Sequence, residues 1–267
     1  MSETLSSYNK NGFVILKNII SKDILDCYLK DFHKIIIQQL DFLKIKNEDL
    51  DIFNSMKVLY NADKNRYLST LTLSSKLFNL YKIISEEPLI NELKLLGISL
   101  PTWQTKPVIH CMSDELKIEG GYHGLGVHQD WRSLQSSLNT IIAWIPFFNV
   151  TKENYPIQVI PKSHLYGLCD GLQTEHFFEI NENIYNQDDF IELEANAGDV
   201  IIMSSFLIHK SKINGNGFRF SVSMRYEDST EETFIERNYP YTEKRIVDRK
   251  ILFDEFPSNE QLYKIYK

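Results

Sequence analysis

The chain changes character at Pro101, and that break constrains the fold more than any other feature. Before it, apolar residues recur at three- and four-residue steps. After it, short β-branched and aromatic runs alternate with Gly, Asn and Pro. Ile24, Leu25, Tyr28, Leu29, Phe32, Ile35, Ile36, Leu40 and Leu43 make the clearest helical row, which predicts an amphipathic helix with one face laid on something larger. Ser21 is its expected N-cap, with Asp23 in the first turn. Residues 47–84 are also helical in tone, with Leu68, Leu71, Leu77, Phe78, Leu80, Tyr81, Ile83 and Ile84 as candidates for burial. Ser85-Glu-Glu-Pro opens a further helix that carries Leu89, Leu93 and Leu96 and stops at Gly97. Phe13 to Leu16, introduced by Asn11-Gly12, is the exception and reads as a strand.

Beyond Pro101, residues 103–112, 137–148, 157–160, 190–194, 199–205 and 217–226 read as strands. Many short strands with turn signals predict an antiparallel sandwich or barrel. Helices followed by strands give a mainly β, α+β fold in which the helices buttress one face of the β core. Without an internal repeat or linker, residues 1–267 are expected to form one domain: a helical buttress over 1–100, a β core over 101–228 and a C-terminal extension over 229–267. The extension caps the barrel mouth or mediates contacts. Its sequence does not declare which.

Charge and composition narrow the partners. A net charge of −7 argues against a nucleic-acid surface, which needs clustered Lys and Arg. It leaves room for an anionic small ligand, because one buried Arg suffices for that. Cys27, Cys111 and Cys169 are odd in number and lack metal or redox spacing, so a reduced, cytoplasmic protein is expected. The polar N-terminus has no signal pattern. The longest apolar run, Ile141 to Phe148, contains Pro146 and is too short for a membrane span. A small-molecule partner is therefore expected, with no nucleic acid and no membrane, and the oligomeric state stays open.

Within the β region, His128-Gln129-Asp130 can chelate from one strand end, and His209 follows about eighty residues later. Two imidazoles and one carboxylate suit non-haem Fe(II) with three positions left open. A three-residue motif is a weak signal alone, and this one works only if the fold brings 128–130 and 209 together. Arg219 sits in the run Phe218-Arg219-Phe220-Ser221-Val222-Ser223, whose alternation puts Arg219, Ser221 and Ser223 on one face. If that face is interior, Arg219 needs a partner such as a bound carboxylate. If it is exterior, Arg219 is solvated. Ser113 to Gly126, with four glycines, is either an active-site cover or a flexible connection.

The ordered set of His128-Gln129-Asp130-Trp131, Ala143-Trp144-Ile145-Pro146, Asn154 to His164, Gly198-Asp199-Val200, His209 and Arg219 resembles the phytanoyl-CoA dioxygenase family of Fe(II)/2-oxoglutarate-dependent oxygenases. Tyr8-x-x-x-Gly12-Phe13-Val14-Ile15 resembles that family's start. The resemblance implies a double-stranded β-helix (jelly-roll, cupin-like) core with flanking helices. It implies Fe(II) on His128, Asp130 and His209, and the distal carboxylate of 2-oxoglutarate on Arg219, with Arg225 as the second choice. Ser211 matches a position that helps hold that carboxylate, and Trp144 one that lines the co-substrate pocket.

The implied activity consumes 2-oxoglutarate and O2 and hydroxylates a C–H bond of a small metabolite, releasing succinate and CO2. Desaturation, epimerisation or cyclisation are alternatives from the same chemistry, as is a jelly-roll protein that binds metal or ligand without catalysis. Asp130 leaves no place for a halide at iron, which disfavours halogenation. Tyr155 and Lys162 stand where the family has glycine, so substrate choice departs more than the metal set. His164 matches a family position that supports the fold or the substrate edge. His110, His123 and His176 have no motif context, and of these only His123 is a candidate substrate contact.

Overall fold

The computed structural model describes residues 2–118, 123–174, 177–240 and 257–266. The helical first part comprises α1 (Glu3–Asn11), α2 (Lys22–Phe42), α3 (Ile52–Ala62), α4 (Lys64–Ser74), α5 (Phe78–Ile84) and α6 (Glu87–Leu95), with strand β1 (Phe13–Leu16) between the first two helices. Ser21 caps α2 by accepting from the Ile24 amide, and α2 buries Leu25, Tyr28, Phe32, Ile36 and Leu40. The α6 stop is as expected: Gly97 has φ 101°, past the last helical residue. Two expected core residues are corrected. Phe78 and Leu68 are 82% and 41% exposed, because α5 turns Leu80, Ile83 and Ile84 inward and α4 turns Tyr67 inward.

The β part continues with β2 (Pro101–Trp103), β3 (Val108–Met112), β4 (Ile141–Pro146), β5 (Ile157–Val159), β6 (Gly171–Gln173), β7 (Phe178–Ile180), β8 (Ile191–Leu193), β9 (Val200–Ser204), β10 (His209–Ser211) and β11 (Arg219–Asp228). A short helix, α7 (Trp131–Leu134), follows the His-x-Asp motif. The larger sheet has six strands in the order β1-β9-β4-β11-β2, with β3 also on β11. The smaller has the order β10-β5-β8, and β6 pairs with β7. All pairings are antiparallel, giving the expected jelly-roll core. The β6–β7 hairpin and β10 were not legible as strands.

Period-2 alternation divides the larger sheet. Ala143, Ile145, Val200, Ile202, Phe220, Val222 and Met224 join the helices in one apolar core. Ile142, Trp144, Ile201 and Met203 face the opposite way and meet Ile157, Val159 and Leu193 of the smaller sheet. The helices thus cover one face of the large sheet, and the other face lines the space between the sheets.

The described parts of the C-terminal extension pack against the body. In α8 (Glu232–Glu236) Phe234 is buried, and Arg237 beyond it donates to the Gln135 and Ser136 carbonyls. In α9 (Asn259–Ile265) Leu262 is buried, and Tyr266 just beyond it lies edge-on to His164. Residues 241–256, where the extension was expected either to cap the barrel mouth or to mediate contacts, lie outside the described residues.

Tyr155 and Lys162 hold left-handed backbone, φ 60° and 70°. That conformation favours glycine and strains a side chain by about 1–2 kcal/mol, which accounts for the family's glycines at both positions. Gly12 has φ 80°, and a β-carbon there would come 2.5 Å from His164 Nδ1. His164 is fully buried and donates from Nε2 to the Asn9 carbonyl at 2.9 Å. It therefore ties the N-terminal segment to the turn after β5 and supports the fold.

Burial pushes the His164 imidazole from 6.5 down to about 4, against the hydrogen bond to Asn9, which favours the charged form. The unfolded chain then takes up a proton before the folded protein does, so stability is lost as pH falls from about 6.5 towards 4. At pH 5 the loss is about 2 kcal/mol. His164→Asn removes the titrating group, so urea midpoints at pH 7.5 and pH 5 should show an acid-induced loss smaller by that order in the variant. An equal loss in both proteins would place the sensitivity elsewhere.

Candidate metal centre

His128 and His209 are brought together by their own backbones. The His128 amide donates to the His209 carbonyl at 3.0 Å and the His209 amide to the His128 carbonyl at 3.1 Å, an isolated antiparallel bridge. Directly paired residues project side chains to the same face, and the two rings lie 4.2 Å apart between centroids. Asp130, two residues on, shares that face. The ligand atoms of His128, Asp130 and His209 all fall within 4.8 Å of one another, and all three residues are buried. Of the described residues, this is the one group of three or more His, Cys, Asp or Glu with metal-binding geometry.

The protonation pattern fits a cation. His128 Nδ1 lies 2.8 Å from the Gly126 carbonyl and His209 Nδ1 2.9 Å from the Leu207 carbonyl. Carbonyls only accept, so both Nδ1 atoms carry hydrogen, and Nε2 is the atom of each ring that can ligate a metal. Burial, helped by the neighbouring His128, pushes His209 down to about 4, which keeps it neutral as a ligand must be. Burial alone would raise Asp130, but the neighbouring Arg225 guanidinium opposes it, and the carboxyl is held well below the usual range. Two neutral imidazoles and an ionised carboxylate are the donor set that non-haem Fe(II) takes.

The cavity at the triad is lined by His110, Trp144, Ser211, Arg219, Ser223 and Arg225 among others. Arg219 is 2% exposed, so the face it shares with Ser221 and Ser223 is interior, and the solvated alternative falls. Its Nη1 donates to the Tyr155 carbonyl at 2.5 Å, and its guanidinium lies 5.7 Å from the Trp144 ring. Ser221 Oγ on that face is buried with no hydrogen-bond partner among the described residues, as a surface prepared for a polar ligand would leave it. Ser211 Oγ accepts from the Leu125 amide at 3.4 Å, so its hydroxyl hydrogen is not used there.

Arg225, the second choice for the carboxylate anchor, instead pairs with Asp130: Nη2 is 3.1 Å from Oδ2. His110 had no motif to single it out, yet its Nε2 is 2.8 Å from Ser223 Oγ inside the cavity. The signal that could have found it is register, since β3 sets His110 opposite Ser221. Gln129, the middle residue of the motif, is a clamp: its side chain donates to the Gly167 and Phe206 carbonyls and accepts from the Cys169 amide.

His123 is not brought to the triad. It lines a separate open cleft of about 1040 Å³ with Asp114, Lys117 and Lys212. His176 and residues 119–122 of the glycine-rich stretch lie outside the described residues. Where that stretch is described, it is docked: the Ser211 amide donates to the Leu125 carbonyl at 3.0 Å, and Gly124 backs onto Ser211 so closely that a β-carbon would come within 2.8 Å.

The profile of the family described as "Phytanoyl-CoA dioxygenase (PhyH)" matches residues 8–220. A curated relative from Dictyostelium discoideum, named "Phytanoyl-CoA dioxygenase domain-containing protein 1 homolog", is 22% identical over 252 residues, covering 79% of this chain and 85% of its own. Among solved structures, the epimerase SnoN with Fe3+, alpha ketoglutarate and nogalamycin RO superposes with a TM-score of 0.56 at 14% identity, covering 85% of this chain and 83% of SnoN. EctD from S. alaskensis, with 2-oxoglutarate and 5-hydroxyectoine, gives 0.55 at 14% identity, over 86% and 77% of the two chains. Both share the fold. No described helix is long and apolar enough to cross a membrane.

Metal binding should be visible in the melting temperature. Divalent metal (Fe(II) under anaerobic conditions, or Mn(II)) at a hundred times its dissociation constant adds about 2.7 kcal/mol, which raises the melting temperature by roughly 5–10 °C. His209→Ala should abolish that increment while folding normally. An undiminished increment in the variant would remove His209 from the site.

Proposed function

Because the chain belongs to the phytanoyl-CoA dioxygenase (PhyH) family of Fe(II)/2-oxoglutarate-dependent oxygenases, we propose that His128, Asp130 and His209 hold its iron and that it hydroxylates a C–H bond of a small metabolite. The observation that carries this reading is the buried convergence of the ligand atoms of two imidazoles, each with Nδ1 turned to a backbone carbonyl, and one carboxylate. Bound there, Fe(II) supplies the activation of dioxygen and the oxidative decarboxylation of 2-oxoglutarate to succinate and CO2. The chain's own residues bind, orient and exclude water.

Arg219 takes the far carboxylate of 2-oxoglutarate. Charge-assisted bonds from a buried guanidinium are strong and directional, and the Trp144 ring and the Tyr155 carbonyl already fix its plane. Ser211 and Ser221 add hydroxyls on the cavity side. Ile142, Ile157 and Met203 supply apolar wall between these groups and the triad, keeping the space dry so that each charge acts at low dielectric. Of the structural neighbours, SnoN is an epimerase and EctD holds 5-hydroxyectoine. Hydroxylation is preferred here because it needs no protein group beyond the metal set and the co-substrate anchor.

Succinate release, measured while metabolites are screened, should rise with the true substrate and be absent in Asp130→Ala. Arg219→Ala should raise KM for 2-oxoglutarate about 100-fold or more, from the loss of two charged hydrogen bonds worth about 1.5–3 kcal/mol each, with the metal-induced rise in melting temperature retained. An unchanged KM would take Arg219 out of the co-substrate site. Turnover that yields an alkene, epimer or ring instead of an alcohol would replace hydroxylation by that outcome.

A further inference from the structure

The two oxygens of Asp130 have different neighbours. Its Oδ1 is 3.6 Å from His128 Nε2, while its Oδ2 is 3.1 Å from Arg225 Nη2. Arg225 is itself held: Nη1 donates to Ser223 Oγ at 2.6 Å, and Ser223 Oγ is 2.8 Å from His110 Nε2. The serine oxygen accepts from Arg225, which leaves its hydrogen for the imidazole. Burial, then the Arg219 and Arg225 charges, push His110 well below its ordinary range, so a neutral acceptor at that position is consistent with the chain of contacts. Arg225, Ser223 and Asp130 line one cavity and are nearly inaccessible, with side chains of Arg225 and Asp130 13% and 5% exposed.

Resting on the triad being the metal site, we propose that Arg225 is a positioning residue that keeps Asp130 a one-oxygen ligand. A carboxylate beside a divalent ion can close on it with both oxygens, and the second oxygen would take one of the three positions that a 2-His-1-carboxylate centre leaves for co-substrate and dioxygen. Here Oδ2 is engaged by a guanidinium, and the Ser223–His110 pair fixes that guanidinium so that it does not follow the carboxylate inward. Metal affinity is a poor readout, because removing Arg225 deletes both a clamp and a positive charge beside the ion, two effects of opposite sign. The number of open positions discriminates.

The test is the water-proton relaxivity of Mn(II) bound to the full-length protein, which reads how many exchangeable waters sit on the ion. In the wild type it should correspond to about three waters. Arg225→Met should lower it by about a third as Oδ2 closes on the metal, and Arg225→Lys should restore it only in part, since a point charge can still hold Oδ2 but cannot fork to Ser223. Ser223→Ala, which leaves Arg225 with one hold, should fall between, and carries the test should Arg225→Met not fold. Wild-type relaxivity in every folded variant overturns the proposal. Failure of the wild type itself to bind Mn(II) would instead overturn the metal reading on which it rests.

Discussion

Two backbone hydrogen bonds between His128 and His209 are the constraint on which the centre depends. Eighty residues of chain, including six strands, lie between them, yet the pairing is as direct as in a hairpin. It works because β10 lies along β5 while the segment before His128 adds itself to the outer edge of β10 through Leu125 and Ser211. A shift by one residue would send one imidazole to the outside. The register is fixed further by Gln129, whose three backbone contacts hold the residue between the two candidate ligands.

Charge inside the barrel is arranged in opposed pairs. A buried guanidinium without compensation costs several kcal/mol, and β11 carries two of them on its inner face. Arg225 is matched by Asp130. Arg219 donates to the Tyr155 carbonyl and lies beside the Trp144 ring, contacts that orient its guanidinium. Tyr155, whose backbone is left-handed, accepts from that guanidinium through its carbonyl, so the strain there is coupled to how Arg219 is held.

Much of this was legible in the sequence where a pattern had one physical reading. The α2 row, the Ser21 cap and the Gly97 stop follow from helix periodicity and capping alone. The convergence of His128, Asp130 and His209 was predicted from ligand chemistry and resemblance, and the coordinates bring the three together. What was not legible depends on register across distant strands. His110 reaches Ser223 only because β3 lies on β11. Arg225 was legible only as a second choice for the carboxylate anchor, and its pairing follows from where Asp130 ends up. Phe78 and Leu68 show the same limit in helices: with apolar residues on adjacent positions, the sequence does not say which faces the sheet.

The most direct measurement is an anaerobic absorption titration of the protein with Fe(II) and then 2-oxoglutarate. Chelation of the keto acid by iron on the triad gives a weak visible charge-transfer band that saturates at one equivalent of each, and is missing from the Asp130→Ala protein. Saturable Fe(II) binding in the wild type with no such band on adding 2-oxoglutarate, or the same band in the variant, would contradict the account.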